Sequence, residues 1–188
     1  MKKFISLLLT LVFLVSAGTV LAEAETKVLV VYFSATGTTQ EVAERIASLT
    51  GADIFRLEPV VPYTDADLNW RDSNSRSVRE HEAGELPVEL VSVEVPGWES
   101  YDTVYIGYPI WWRDASWVVD GFITANDFTG KTVIPFCTSQ ASGYGESGVH
   151  LAEKAGNGNW IEGRNFFGAA SEDEISEWLS SLNVSDAQ

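Results

Sequence analysis

The sequence contains one cysteine, Cys137, and only two histidines, His81 and His150, in 188 residues. A single cysteine excludes an internal disulfide and any cysteine-rich zinc or iron–sulfur site, and two histidines argue against a multi-histidine metal centre. Basic residues are also scarce, with 12 Lys and Arg against 27 Asp and Glu and a net charge of -15. Nucleic acids and anionic membrane surfaces both attract clustered Lys and Arg, so neither is expected as a partner. We therefore expect a bound cofactor to supply whatever chemistry the protein performs.

The composition of the chain is that of a folded domain. Hydrophobic residues make up 45% of the sequence and charged residues 21%, which excludes a disordered or fibrous chain. The length suits one domain with a substantial core. No internal repeat or low-complexity linker divides it. We assign residues 25–188 to this domain and treat residues 1–24 separately.

Residues 1–24 have the parts of a secretory signal peptide. Two lysines, Lys2 and Lys3, precede an apolar stretch from Phe4, and small residues allow cleavage after Ala22 or Ala24. The sequence has no Arg-Arg pair, which favours the general secretory route and predicts an exported protein. The alternative is an uncleaved anchor, since the apolar stretch is nearly long enough to span a bilayer. Cleavage after Ala22 would remove both lysines and change the net charge from -15 to -17.

Strand and helix patterns alternate along the rest of the chain. Residues 27–33 form an uninterrupted β-branched and aromatic run, typical of a central strand buried on both faces. Further strands are predicted at residues 53–57, 103–107, 132–137 and 159–161. Helices are predicted between them and at the end, at residues 40–50, 69–82, 117–124, 149–155 and 171–182. This alternation predicts an α/β fold with a doubly wound parallel sheet.

The loop after the first predicted strand, residues 34–39, has the composition of a phosphate site. In a doubly wound sheet, ligands bind at the carboxyl ends of the strands, and here a helix N-terminus offers unpaired N–H groups as well. The loop has no lysine, so it is not a Walker A loop. The alternative is a helix cap with spare hydroxyl groups. The loop consists of Ser34, Ala35, Thr36, Gly37, Thr38 and Thr39.

Two more loops follow strands that should end at the same edge. Residues 108–112 include Trp111 and Trp112, which would form an apolar wall for a planar ring or would simply cover the sheet edge. Residues 138–145 offer hydroxyls and flexible backbone donors, which alone suit any surface loop. We interpret Cys137 as a buried small hydrophobe. Neither histidine lies in these loops, so no Cys–His pair is predicted.

The three loops together resemble the flavodoxin family, in its bacterial branch with a Pro-Ile-Trp-Trp run. This resemblance covers residues 27–182 and implies a three-layered, flavodoxin-like five-stranded sheet of order 2-1-3-4-5 that binds FMN non-covalently. By position, residues 34–39 would hold the FMN phosphate. The ring would be bordered by Pro109, Ile110, Trp111 and Trp112. Its other side, or the ribityl chain, would be closed by Thr138, Ser139, Ser142 and Gly143. No catalytic side chain and no metal ligand are implied.

Two functions are compatible with these features. The first is an exported electron-transfer protein that shuttles electrons between redox partners, with Trp111, Trp112 and Trp117 covering much of the flavin. An acidic surface would steer a basic partner protein, although the charge alternatively serves only solubility. The second function is an FMN-dependent reductase of the NAD(P)H:quinone type, with one ring face open. A weaker third alternative is a flavin-free phosphate binder. Contact with a membrane is expected only through the signal segment, if it is uncleaved.

Overall fold

The computed structural model describes residues 26–84 and 88–182. The predicted signal segment, residues 1–24, lies outside these residues, so its prediction is neither supported nor opposed by the fold. Within the described ranges, no helix has the length and apolar character needed to cross a membrane.

Parallel strands form the centre of the fold, in the order β2-β1-β3-β5-β6, and β7 pairs with β5 as well. β6 and β7 follow one another along the free side of β5, so together they occupy the fifth position of the sheet. The predicted order 2-1-3-4-5 is therefore confirmed, with a short antiparallel strand, β4, added to the end of β3. The strands are β1 Val28–Tyr32, β2 Asp53–Arg56, β3 Thr103–Trp111, β4 Asp114–Ala115, β5 Thr132–Ser139, β6 Asn159–Trp160 and β7 Arg164–Phe167.

Within the described part of the chain, five α-helices flank the sheet, and their ends follow local capping signals. α1 ends at Gly51, whose φ of 68° is the left-handed conformation that glycine adopts easily. α5 begins after Ser171, whose hydroxyl accepts a hydrogen bond from the Glu174 N–H at 3.1 Å. The helix predicted from residue 69 begins only at Arg76, because Ser75 is its N-cap. The helices are α1 Thr38–Thr50, α2 Arg76–Glu82, α3 Asp120–Ala125, α4 Ser147–Ala155 and α5 Glu172–Ser181.

Both faces of the sheet are buried, which gives the predicted three layers. Alternate residues of β1 point to opposite faces, Leu29 and Val31 to one and Val30 and Tyr32 to the other. The first face packs against α3 and α4 and against Trp117 and Tyr144, which precede these two helices. The second face packs against α1 and α5. A strand buried on both sides needs an unbroken apolar run, which explains why β1 was predictable from its sequence.

The strand register brings the ends of β1, β3 and β5 together at one edge of the sheet. Tyr32 pairs with Gly107, and Gly107 pairs with Phe136 on the next strand. The Phe33 N–H donates to the Gly107 carbonyl at 2.9 Å, one step beyond β1. The three loops that follow these strands therefore lie side by side.

The last position of the sheet differs from the sequence prediction. A single short strand was predicted at residues 159–161, whereas the structure has β6 and then a second strand, β7, after a break at Gly163. The break is tight, because a Cβ atom at Gly163 would lie 2.0 Å from the Pro135 carbonyl oxygen. β7 carries the buried Phe166, which closes the core under α5.

Candidate functional site

The loop after β1 turns sharply at Gly37, directly before α1. Gly37 has φ +94°, and its N–H donates to the Ser34 hydroxyl oxygen at 3.1 Å, which closes the loop on itself. The first hydrogen bond of α1 runs from the Glu41 N–H to the Gly37 carbonyl. The N–H groups of residues 38–40 precede that bond, so helix geometry leaves them without a partner inside the helix and directed at the loop. This is the arrangement that favours an anion.

The four hydroxyl groups of this loop have different surroundings. Ser34 and Thr39 are buried, with 6% and 1% of their surface exposed, and both take part in internal hydrogen bonds. Thr36 is exposed and Thr38 is half-buried. Thr36 and Thr38 are thus the side chains nearest to solvent, whereas Ser34 and Thr39 shape the loop.

A buried hydrogen bond joins the first loop to the third. The hydroxyl oxygens of Thr39 and Thr138 lie 2.8 Å apart, although the two residues are 99 positions apart in the chain. In the third loop, the Ser139 hydroxyl oxygen accepts from the Gly143 N–H at 3.1 Å, and Gly143 itself has φ +71°. The ends of β1 and β5 are therefore fixed to one another beside the site.

The predicted second loop, residues 108–112, is mostly strand, because β3 continues to Trp111 and then turns tightly into β4. Ile110 pairs with Ala115 and Trp111 with Asp114, so only Trp112 and Arg113 remain in the turn. Both have positive φ, 47° and 73°, as a two-residue hairpin turn of type I′ requires. Asn and Gly are the usual residues of such a turn, so this hairpin holds Trp112 in place at a conformational cost.

A cleft of about 510 Å³ opens where the loops meet, a size usual for small-molecule sites. All three loops line it. Eight of the predicted site residues are in its wall, and six others lie in or next to the same loops without lining it. The lining residues from these loops and the strand ends before them are Ala35, Thr36, Pro109, Ile110, Trp111, Trp112, Ser139, Gln140, Ala141 and Ser142. The predicted residues that do not line it are Ser34, Gly37, Thr38, Thr39, Thr138 and Gly143.

The sequence did not predict one wall of the cleft. The long connection between β2 and β3 reaches the carboxyl edge and contributes Leu68, Trp70 and Ser77. Trp70 is 66% exposed, which is unusual for the largest apolar side chain. The Arg71 guanidinium lies over its ring, with Cζ 4.7 Å from the ring centroid. The signal available in the sequence was a tryptophan in an otherwise polar stretch, which marks a binding surface when it is not buried.

Trp111 and Trp112 form one side of the cleft, which we call the tryptophan wall. Other aromatic side chains pack behind this wall. Trp111 packs edge-on against Trp117, Tyr63 and Phe33, at ring centroid distances of 4.9, 5.1 and 5.8 Å. Trp117 is only 1% exposed and does not line the cleft, so the expectation that it would cover a ring there is wrong. Trp112 is 38% exposed and stacks on His81 at 4.7 Å.

The described lining of the cleft carries no ionisable side chain. Cys137 lies just outside it and is fully buried, and this burial raises the pKa of its thiol to about 12. At neutral pH Cys137 is therefore a thiol and a poor nucleophile, in agreement with its interpretation as a small hydrophobe. His150 is in α4 and does not line the cleft. Its Nδ1 is 2.6 Å from an Asp114 carboxylate oxygen.

These features define a class of protein. A doubly wound parallel sheet with an anion-type loop after its first strand and an aromatic cleft at the carboxyl edge is a flavodoxin-like nucleotide-binding fold. The profile of the Flavodoxin family matches residues 27–182, nearly all of the described chain. The chain belongs to the Flavodoxin family. No curated protein matches it significantly.

Solved structures give the same result. A protein from Bacteroides eggerthii assigned to the flavoproteins is 40% identical over 85% of this chain and 99% of its own, with a TM-score of 0.77. One from Bacteroides uniformis, assigned in the same way, is 39% identical over 83% and 99%, with a TM-score of 0.76. A flavoprotein from Lactobacillus acidophilus in complex with FMN shares the fold, at 21% identity over 82% and 99% and a TM-score of 0.61.

Proposed function

We propose that the protein binds FMN non-covalently in this cleft and transfers electrons between redox partners. One observation carries the proposal: a helix N-terminus for an anion and an indole wall for a planar ring lie at one sheet edge, with no ionisable side chain between them. Membership of the Flavodoxin family and the FMN complex of the Lactobacillus acidophilus protein support FMN as the cofactor.

The residues at the two ends of the cleft fit the two ends of FMN. At one end, the N–H groups of residues 38–40 and the hydroxyls of Thr36 and Thr38 would hold the phosphate by neutral donors. At the other end, Trp111 and Trp112 would border the ring and keep water from it. Ser139 and Ser142 offer hydroxyls along the third loop. FMN supplies the redox chemistry when bound, and the chain supplies binding, orientation and exclusion of water.

The cofactor is tested by titrating the purified protein with FMN and following flavin fluorescence. We expect a visible absorbance band and quenched fluorescence, with FMN retained at about 1 μM protein. Riboflavin, which lacks the phosphate, should bind more weakly. Equal affinity for riboflavin and FMN would show that the first loop is a helix cap only, and loss of FMN from folded protein would refute the proposal.

A reductase of the NAD(P)H:quinone type is the second candidate, and the position of Trp117 favours it. Trp117 is buried beneath the cleft and would not cover the ring, and the third indole of the lining, Trp70, lies on the rim with 66% of its surface exposed. The two functions are separated by NAD(P)H oxidation by the FMN-loaded protein, with and without a quinone. A carrier should react slowly, whereas turnover above about one per second, within the ordinary range for enzymes, would establish the reductase.

Export is a further part of the proposal, supported by Lys2, Lys3 and the apolar stretch after them. Export by the general route implies that FMN is acquired after translocation, since that route carries unfolded chains. Sequencing the N-terminus of the native protein tests this. A start at Glu23 or Glu25 indicates cleavage, and an intact Met1 would indicate the anchor instead.

A further inference from the structure

Glu80, in α2, is a nearly buried carboxylate that accepts hydrogen bonds from three side chains. Its Oε2 accepts from the Tyr63 hydroxyl and from the Trp117 indole N–H, the latter at 2.9 Å. Its Oε1 accepts from the Arg76 Nε at 2.6 Å. Only 13% of the Glu80 side chain is exposed. Glu80 does not line the cleft, so its contacts point to a role exerted through other residues.

The partners of Glu80 stand directly behind the tryptophan wall. Tyr63 and Trp117 both contact the Trp111 ring edge-on, at ring centroid distances of 5.1 and 4.9 Å. Trp117 also contacts Trp112 at 5.6 Å. One carboxylate oxygen therefore ties together the two rings on which Trp111 rests, although they come from separate parts of the chain.

We propose that Glu80 is a positioning residue for the ring end of the cleft: it fixes Tyr63 and Trp117 so that Trp111 and Trp112 are oriented to receive the flavin ring. The proposal rests on FMN binding in this cleft. It assigns Glu80 no contact with the cofactor and no proton transfer.

The energetics favour this role over a simple surface ion pair. Hydrogen bonds to an ionised group are about twice as strong as neutral ones, and a nearly buried carboxylate is costly unless its oxygens are paired. Arg76 balances the charge and also lies over the Tyr63 ring at 3.9 Å. Burial, together with the hydrogen bond to Glu80, raises the pKa of Tyr63 well above its usual value. Tyr63 therefore keeps its proton, and remains a donor, throughout the physiological pH range.

The test compares Glu80→Leu with Glu82→Leu, a matched change at an exposed position of the same helix. We expect Glu80→Leu to weaken FMN binding about tenfold, the effect of losing a charge-assisted contact, and Glu82→Leu to leave it within about twofold. Lumiflavin, the ring without ribityl phosphate, should lose affinity by the same factor. The bound flavin should also regain fluorescence and change its visible circular dichroism, because the indoles around it move.

Conservative variants separate positioning from charge. In Glu80→Gln, the amide oxygen can still accept from Tyr63 and Trp117, but the NH2 group would face the Arg76 guanidinium, which has no acceptor. Glu80→Gln is therefore combined with Arg76→Met, and in this double variant the wall should be preserved and FMN affinity should remain within about threefold. Arg76→Met alone removes the ion pair, the cation over the Tyr63 ring and a hydrogen bond to the Val61 carbonyl, but it leaves the hydrogen bonds of Glu80 to Tyr63 and Trp117 in place and should likewise leave the flavin spectrum unchanged. A greater loss in either of these variants than in Glu80→Leu would contradict the proposal.

A purely structural role would lower the melting temperature of Glu80→Leu but leave the affinity and flavin spectra of the folded fraction at wild-type values, and this outcome would overturn the proposal. If Glu80→Leu does not fold, Tyr63→Phe decides, since it removes a single hydroxyl: unchanged lumiflavin affinity and fluorescence quenching would overturn it equally. Near-ultraviolet circular dichroism of the apo protein follows the tryptophan cluster without flavin. Wild-type protein that binds no FMN would refute the proposed function itself, separately from these comparisons.

Discussion

Gly37 shows how a single residue shapes the anion end of the site. A Cβ atom at this position would meet nothing within 4 Å, so space does not require a glycine here. The backbone does, because φ is +94°, a conformation that side chains with a Cβ rarely adopt. Together with the internal hydrogen bonds of Ser34 and Thr39, this indicates that the loop binds through its backbone more than through any one hydroxyl.

Gly37→Val should therefore weaken FMN binding more than Thr38→Ala does. A β-branched residue at positive φ costs about 1–2 kcal/mol or more and changes the direction of the N–H groups. Gly51→Val is the control, since Gly51 ends the same helix at φ 68° with open space around it, and should reduce stability without reducing affinity. Titration with FMN and thermal unfolding of the three variants measure this. Equal, small effects on affinity at positions 37 and 38 would identify a helix cap without a phosphate site.

Trp70→Ala should reduce flavin affinity while leaving stability nearly unchanged. The Trp70 ring is 66% exposed on the rim of the cleft, so removing it forfeits little core packing but a large contact surface for a planar ring. Phe167→Ala is a matched control, because Phe167 is 67% exposed and does not line the cleft. We expect about a tenfold higher dissociation constant for Trp70→Ala and no change for the control, measured by flavin fluorescence. Identical constants would place Trp70 outside the site.

Elements buried on both faces were predictable from the sequence. β1 consists entirely of apolar residues, and β5 has an apolar run of five, Val133 to Cys137, between threonines. The loops after them contain the hydroxyl and glycine residues that suggested a site. The reason is physical: a central parallel strand must be apolar on both sides, and that pattern depends on no distant contact.

Elements that depend on tertiary contacts were not predictable. β7 reads Arg-Asn-Phe-Phe, in which only Phe166 is buried, so its sequence has no continuous apolar run. The connection that carries Leu68 and Trp70 is polar and mostly built of turns. Tyr63, in the same connection, is joined to Trp117 through hydrogen bonds to Glu80. A pattern in neighbouring residues could not predict that Glu80 joins Tyr63 to Trp117, because these two residues are more than fifty positions apart.

The break between β6 and β7 gives a prediction at the level of the element. Gly163→Ala should destabilise the protein by about 2 kcal/mol or more, because the added Cβ would overlap the Pro135 carbonyl oxygen at 2.0 Å. Gly121→Ala, inside α3, has its nearest neighbour at 3.6 Å and should be neutral or stabilising by about 0.5–1 kcal/mol. Denaturant unfolding of both variants measures the contrast. A Gly163→Ala protein as stable as the wild type would mean that the break does not constrain the strand.

The negative charge of the molecule lies outside the cleft lining. The net charge is -15, yet the described lining residues are all neutral. An electron acceptor that approaches the flavin would therefore experience the long-range field of the acidic surface without a specific ion pair inside the site. Whether this field has a role in electron transfer or only in solubility is decided by how rates respond to salt.

The FMN-loaded, reduced protein should transfer electrons to small acceptors with opposite salt dependence according to their charge. The acidic surface attracts hexaammineruthenium(III) and repels ferricyanide, and salt screens both effects over a Debye length of about 10 Å at 0.1 M. Stopped-flow rates with the cationic acceptor should fall as ionic strength rises, and those with the anionic acceptor should increase. Because the two acceptors differ in driving force, the sign of each slope is compared and not the absolute rate. Two flat slopes would mean that the charge serves solubility alone. Slopes of reversed sign would mean that arginines adjacent in the chain to lining residues, such as Arg71 beside Trp70 and Arg113 beside Trp112, dominate the local field and that the partner is acidic.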